Sequence, residues 1–295
     1  MRKTIVCIIG ANFGINVHLK ALKMIKNVNI LGVAGKKNRR LKNISYYLNW
    51  KTMIDEIKPN LVIVSAPPNI QINILKYLTK KKINFLAEKP LSTSHEEVLL
   101  FRKKYKPRGF IDLNFLKINK INKLKKIISL KHSGVKKVSI LWNLKSDLKK
   151  NGGPILNFYF HLQSIIDYLF PNNKLNNFSK EKLFKFNLNY KTNSSFINVV
   201  FDPYKKKNYF KLDITSKKNH TILLNKSYDY HKNFLLIHNN KIINFKNNSP
   251  IKKDVRVYLA RDIISDIIKK KNSIKNFSIT KGFSIHEKIS KFYDH

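Results

Sequence analysis

Cysteine occurs once in this 295-residue chain, arginine seven times, and glycine and proline nine times each. The lone Cys7 lies inside an apolar run. That excludes a disulfide framework, a cysteine metal site and a thiol nucleophile on a loop. Dehydrogenases that form a thioester with their substrate are excluded with it. No apolar run approaches the roughly 18 residues a membrane span needs. The nine histidines are scattered without the spacing of a zinc site, so no metal is expected. The opening MRKTIVCIIGANFG has a charged start and an apolar stretch, but it runs into a glycine turn with no small-residue cleavage site. It reads as a first strand, and the expected location is cytoplasmic.

Acidic residues are scarce too, 17 against 59 Lys and Arg, for a formal charge of +42. Such an excess points toward polyanions. Yet arginine, the side chain suited to bidentate phosphate and base contacts, supplies only seven of the 59. Lysine is spread from end to end among Asn, Ile, Phe and Tyr, all residues with A/T-rich codons. Composition accounts for the charge. No specific nucleic-acid or membrane partner is expected, only weak adhesion to polyanions at low salt.

What the first 116 residues do have is alternation. TIVCIIG (4–10) is a continuous apolar run, as in a strand covered on both faces. Ile15, Leu19, Leu22 and Ile25 then recur at helical spacing. VNILGVAG (28–35), LVIVSAPP (61–68), INFLAEKP (83–90) and GFIDLNFL (109–116) read as further strands, with IQINILKYLTKK and HEEVLLFRKKY as helices between them. Thr93 with Glu96, or Ser94 with Glu97, offers a capping box for the second of these helices. Short strand–helix alternation predicts a parallel sheet, whose ligands bind at the carboxyl ends of the strands. GANFG, GKKNRR, APPNIQ and EKP all fall at such ends.

Glycine scarcity leaves its mark on the first turn. A dinucleotide fingerprint reads GxGxxG; here Gly10 is followed by Asn12 in place of the second Gly, and Gly14 comes one place early. Asn tolerates unusual backbone angles, so a phosphate-binding turn of Gly10, Asn12, Phe13 and Gly14 is feasible. At the end of the second strand an NAD site carries a carboxylate for the ribose; this chain has Gly35, then Lys36, Lys37, Arg39 and Arg40. Missing carboxylate and added cations suit a 2′-phosphate. NADP(H) is favoured, with NAD(H) the alternative.

In order and spacing, GANFG, SAPPNIQINIL, EKP (88–90) and NGGPILNFYFH (151–161) resemble the glucose–fructose oxidoreductase / inositol dehydrogenase / rhizopine-catabolism (Gfo/Idh/MocA) superfamily of NAD(P)-dependent oxidoreductases. The resemblance implies that Lys89, between Glu88 and Pro90, lies near the nicotinamide and touches the substrate oxygen. It implies that Ala66, Pro67 and Pro68 line the cofactor, with Gln71 where a His often stands. The family's Asp-x-x-x-His pair falls on Asn157 and His161, and a further family Asp falls on Ser164. Lys89 and His161 remain as acid–base candidates. The substrate implied is a sugar, cyclitol or related polyol or carbonyl. A homo-oligomer formed through the outer face of the second sheet is also implied.

The second half can be read on its own. Gly152 and Gly153 break the chain, Pro154 suits the first position of a helix, and Asn157, His161 and Ser164 make one polar stripe on an apolar segment. Beyond 172, period-two segments joined by Asn-, Lys- and Ser-rich turns predict an antiparallel sheet of about six strands, counting VKKVSILWNL (135–144). The expected fold is α/β: an N-terminal Rossmann domain (1–118), then an α+β substrate and oligomerisation domain (119–295) with a large, mostly antiparallel open sheet. Two other functions stay open. One is a dinucleotide-binding sensor or scaffold without catalysis, the other a polyanion binder.

Overall fold

The computed structural model describes residues 3–131, 134–145, 153–226, 233–244 and 254–293. Gly152 of the Gly-Gly-Pro stretch lies outside them. The first half runs β1 (Thr4–Ile9), a π-helical turn (Gly14–Leu19) leading into α1 (Lys20–Leu22), β2 (Val28–Ala34), β3 (Ser45–Tyr47), α2 (Trp50–Ile57), β4 (Leu61–Val64), α3 (Pro68–Lys80), β5 (Asn84–Ala87), α4 (His95–Tyr105) and β6 (Phe110–Ile111). The strands form one parallel sheet in the order β3-β2-β1-β4-β5-β6. That is a dinucleotide-binding order, with its switch point between β1 and β4. Val6, Cys7, Ile8, Val62, Ile63, Val64, Phe85, Leu86 and Ala87 are fully buried. This explains why β1, β4 and β5 read as unbroken apolar runs rather than alternating ones.

The second half runs α5 (Asn119–Lys131), β7 (Val135–Lys145), a π-helical turn (Ile155–Tyr159), α6 (Phe160–Leu169), β8 (Lys174–Lys182), β9 (Lys185–Lys191), β10 (Phe196–Asp202), β11 (Tyr204–Ser216), β12 (His220–Asn225), β13 (Leu235–His238) and β14 (Lys241–Ile242). Then come α7 (Val255–Ile268) and α8 (Ile279–Tyr293). The eight strands pair as β14-β13-β12-β11-β7-β10-β9-β8, antiparallel except for β7 with β10. The sheet exceeds the expected six strands because β8 is almost wholly exposed and polar and β14 is two residues long. Neither carries an apolar period.

Contacts divide the chain into two compact units, residues 1–114 with 256–287 and residues 115–255 with 288–295. The expected division at 118 lies near the first crossing, but α7 and most of α8 group with the N-terminal unit rather than with the second. Ile279 N–H donates to the Gly109 carbonyl at 2.9 Å, and Phe283 meets Phe101 edge-on. A return of this kind is made by long-range pairing, which local periodicity does not register.

Shortage of glycine shows in the turns as well. Among the described residues, ten non-glycine positions adopt positive φ, and all are Asn or Lys. Lys58 and Lys106 end α2 and α4 in the left-handed conformation usually given to glycine.

Candidate active site

The first turn is built by close approach. Gly10 has φ +106°, and a Cβ there would stand 2.4 Å from the backbone oxygen of Ser65 at the end of β4. A Cβ on Gly14 would meet the Ile8 side chain at 2.6 Å and the Ser65 hydroxyl at 2.8 Å. Gly10 N–H donates to the Ala34 carbonyl at 2.9 Å, and Ser65 Oγ donates to the Gly10 carbonyl at 3.0 Å. The ends of β1, β2 and β4 are thus laced together, and the two glycines allow the turn to approach the end of β4 closely. Asn12 does not use positive φ. Its carbonyl instead accepts from Asn16 N–H at 3.1 Å and its side chain accepts from Asn16 Nδ2 at 3.2 Å. Phe13 packs edge-on to His18, with the Arg256 guanidinium 5.6 Å from its ring centre.

At the end of β2, Gly35 has no room for a side chain. A Cβ would lie 2.3 Å from the Tyr46 hydroxyl and 2.5 Å from Ala11 Cβ. The Tyr46 hydroxyl is buried and has no hydrogen-bond partner among the described residues. Lys36, Arg39 and Arg40 follow, all exposed.

The segment after β5 is clamped from two sides. Gln71, fully buried on α3, donates from one amide nitrogen to the carbonyls of Glu88 at 2.6 Å and Pro90 at 2.9 Å. Leu91 N–H donates to Nε2 of His286 on α8 at 3.2 Å. Burial pushes the His286 pKa down to about 3, with His95 adding to the effect, so the ring stays neutral and accepts that bond. Ala66 is buried and begins the loop, Pro67 is exposed, and Pro68 opens α3 at a helical position suited to proline. Gln71, expected on the cofactor, commits its amide nitrogen to the backbone that carries Lys89.

Lys89 sits half-buried at this clamped end. Burial lowers its pKa to about 8, opposed by the negative charge of the Glu88 and Asp112 carboxyls. Glu88 turns the other way, its Oε1 2.8 Å from Nε2 of the fully buried His18, which lies 4.0 Å from Asp112 Oδ2. Ladder bonds fix both acids, since Glu88 N–H donates to the Val64 carbonyl and Asp112 N–H to the Ala87 carbonyl, each at 2.8 Å. Sequence reasoning missed His18 and Asp112. They lie 70 and 24 residues from Glu88, and only the strand order brings the three together. His18, a buried polar residue on the turn after β1, is the one available signal.

His161 belongs to the second unit. It is 5% exposed and stacks on Phe115 with ring centres 4.5 Å apart. The expected polar stripe is partly turned inward. Asn157 Nδ2 donates to the Gly153 carbonyl at 3.0 Å, and Ser164 Oγ, 2% exposed, donates to the His161 carbonyl at 2.7 Å. Both short polar side chains bond their own helix, as such residues do inside helices. For α4, Ser94 is the cap, its hydroxyl accepting from Glu97 N–H at 3.2 Å. The Glu97 carboxylate bonds the Ser92 hydroxyl instead of closing the box.

Residues 5–103 match the sequence model of an oxidoreductase family with an NAD-binding Rossmann fold, GFO_IDH_MocA. Glucose-6-phosphate 3-dehydrogenase of Bacillus subtilis is 26% identical over 219 residues, 67% of this chain and 61% of that protein. The chain therefore spans about three fifths of the length of that curated relative. Among solved structures, the WlbA dehydrogenase of Bordetella pertussis, in complex with NADH and UDP-GlcNAcA, superposes with a TM-score of 0.75. It is 11% identical, covering 96% of this chain and 93% of that one. The transcriptional regulator Gal80p of Kluyveromyces lactis gives a TM-score of 0.80 at 13% identity, covering 99% and 89%. At such identities the likeness is one of fold, and the fold serves a regulator as well as dehydrogenases. No helix among the described residues is long and apolar enough to cross a membrane.

Proposed function

We propose that the chain belongs to the Gfo/Idh/MocA oxidoreductase family and transfers a hydride between a nicotinamide dinucleotide and a sugar, cyclitol or related polyol or carbonyl. One observation carries the reading. The lysine clamped at the end of β5 stands at the same sheet edge as a glycine turn packed so closely on the end of β4 that a Cβ would collide there. Gly10 to Gly14 and the Ala66–Pro68 loop would hold the dinucleotide. Bound nicotinamide supplies the hydride acceptor or donor. Lys89 hydrogen-bonds the substrate oxygen and steadies its developing negative charge; its lowered pKa lets it hold or release a proton near neutrality. His161 is assigned the proton exchanged with that oxygen, imidazole being the side chain that ordinarily titrates in this range. Asn157 and Ser164 support the helix that presents His161 and reach substrate only at its margin.

The preference we assign is for NADP(H). Closure of the space at Gly35 by Tyr46 removes the position for a ribose carboxylate, and exposed Arg39 and Arg40 are two of only seven arginines. Calorimetric titration should give tighter binding of NADPH than NADH. Replacing both Arg39 and Arg40 by Ala should cost NADPH about 10- to 100-fold while leaving NADH nearly unchanged, as loss of charge-assisted phosphate bonds does. Tighter NADH binding by the unaltered protein would overturn the preference and leave the oxidoreductase reading standing.

The curated relative acts on glucose 6-phosphate by its name, and the WlbA complex holds a nucleotide-linked sugar acid. An anionic sugar also suits a chain of +42. A screen of sugar phosphates, nucleotide sugars and inositol, following nicotinamide absorbance, tests the activity. A second reading, a dinucleotide-binding sensor without turnover, is favoured by the inward hydrogen bonds of Asn157 and Ser164. Cofactor binding with no turnover on any of these substrate classes would select it.

A further inference from the structure

His18, Glu88 and Asp112 come from the first π-helical turn, the end of β5 and the end of β6, and their reactive atoms all lie within 4.8 Å of one another. His18 and Asp112 are 0% and 1% exposed. One bond organises the group, His18 Nε2 to Glu88 Oε1 at 2.8 Å. Both Asp112 oxygens are buried without a hydrogen bond of standard geometry among the described residues. An ionised carboxylate there is costly, with only the Lys89 charge to offset its burial. A second ionised carboxylate beside it makes matters worse, because two such groups at close range cannot both stay charged. A proton on Asp112 resolves both difficulties, since it gives the carboxyl a donor that can turn toward Glu88.

We propose that Asp112 and Glu88 share one proton within the fold, with His18 anchoring Glu88, so that a single negative charge rather than two stands beside Lys89. Asp112 is then a positioning residue, acting on the reaction only through the charge it denies or supplies to the lysine. Burial first, and Glu88 second, push the Asp112 pKa well above the ordinary carboxylate range, which agrees with this arrangement. The charged and titratable groups facing the pair are His18 from the π-helical turn and Lys89 from the end of β5. The Asn114 backbone N–H lies close enough to favour the ionised form of Asp112 without reaching standard hydrogen-bond geometry. The consequence for Lys89 rests on the catalytic reading above; the shared proton itself does not.

Two measurements separate those parts. Infrared spectra of the cofactor-free full chain with isotope-labelled aspartate should show a protonated-carboxyl C=O band at neutral pH, absent in Asp112→Asn. No such band, or one that persists in Asp112→Asn, would overturn the shared proton whatever the protein catalyses. A trio ionised throughout, as cation ligands are, gives that same negative result. The second measurement is the pH at which the lysine limb of kcat/KM falls, in Asp112→Asn, Glu88→Gln and the double variant. If one charge is shared, each single variant leaves one carboxyl free to carry it, and the limb stays within about 0.3 pH unit. The double variant removes the charge and moves the limb to lower pH by about one unit or more, because a lysine without its anion loses its proton sooner. Equal, additive shifts in the two single variants would mean two full charges and would contradict the proposal. Should the double variant fail to fold, the infrared result on the unaltered chain decides alone.

Discussion

Replacing Lys89 with methionine is expected to lower kcat by about 10³-fold while leaving NADH affinity within a few-fold. Methionine keeps the length and apolar stem of lysine but offers no proton and no positive charge. Removing one donor aimed at a developing oxyanion costs about 10²–10³ in kcat, and losing a group that also moves the proton adds to that. The side chain is half-buried, and the backbone around it is held by Gln71 and His286. The clamp therefore survives the substitution. Steady-state kinetics beside a calorimetric NADH titration reads both quantities. A variant that turns over at the original rate would remove Lys89 from the chemistry, and one that no longer binds NADH would make it a cofactor residue instead.

The largest effect on folding is expected at Gly10. Alanine there meets the Ser65 carbonyl oxygen at 2.4 Å and carbon at 2.5 Å, both backbone atoms that cannot swing away, and it must adopt φ +106°. Strain of this kind costs about 1–3 kcal/mol, and the collision forces β1 and β4 apart at their ends. Gly10→Ala should lose about 2–4 kcal/mol in denaturant unfolding, and NADH binding should weaken with it. Gly134→Ala serves as the control, having φ +67° but nothing within 4 Å of its Cβ. It bears strain without collision and should cost only about 1 kcal/mol. Equal losses in the two variants would mean that backbone strain alone, and no close approach, shapes the first turn.

The N-terminal sheet was legible because β1, β4 and β5 are covered on both faces. Their sequences are runs of Val, Ile, Leu and Phe that no helix or exposed strand resembles. The same runs located the candidate turns, since GANFG, APPNIQ and EKP each follow the carboxyl end of one of them. Period-two segments in the second half announced antiparallel strands but not β8, whose residues face solvent on both sides. Return of α7 and α8 to the first unit left no local trace. Site residues divide in the same way. Gly10, Gly14 and Lys89 stand inside motifs, where chain order and spatial order agree. Asp112 sits in a strand end with no motif of its own. Gln71 was visible as a departure from the family pattern, but only its two bonds to the Glu88 and Pro90 carbonyls tell that it braces the loop.

Central to the account is that three segments, Gly10–His18, Ser65–Gln71 and Glu88–Ser92, form one dinucleotide site at the edge of the N-terminal sheet. Hydrogen–deuterium exchange of the full chain with and without NADH tests this most directly. The account predicts slowed exchange in all three segments at saturating cofactor, with the Lys/Asn-rich turns of the second sheet unaffected. Protection confined to those basic turns, or none in any of the three segments, would contradict it and return the protein's positive surface to the centre of its function.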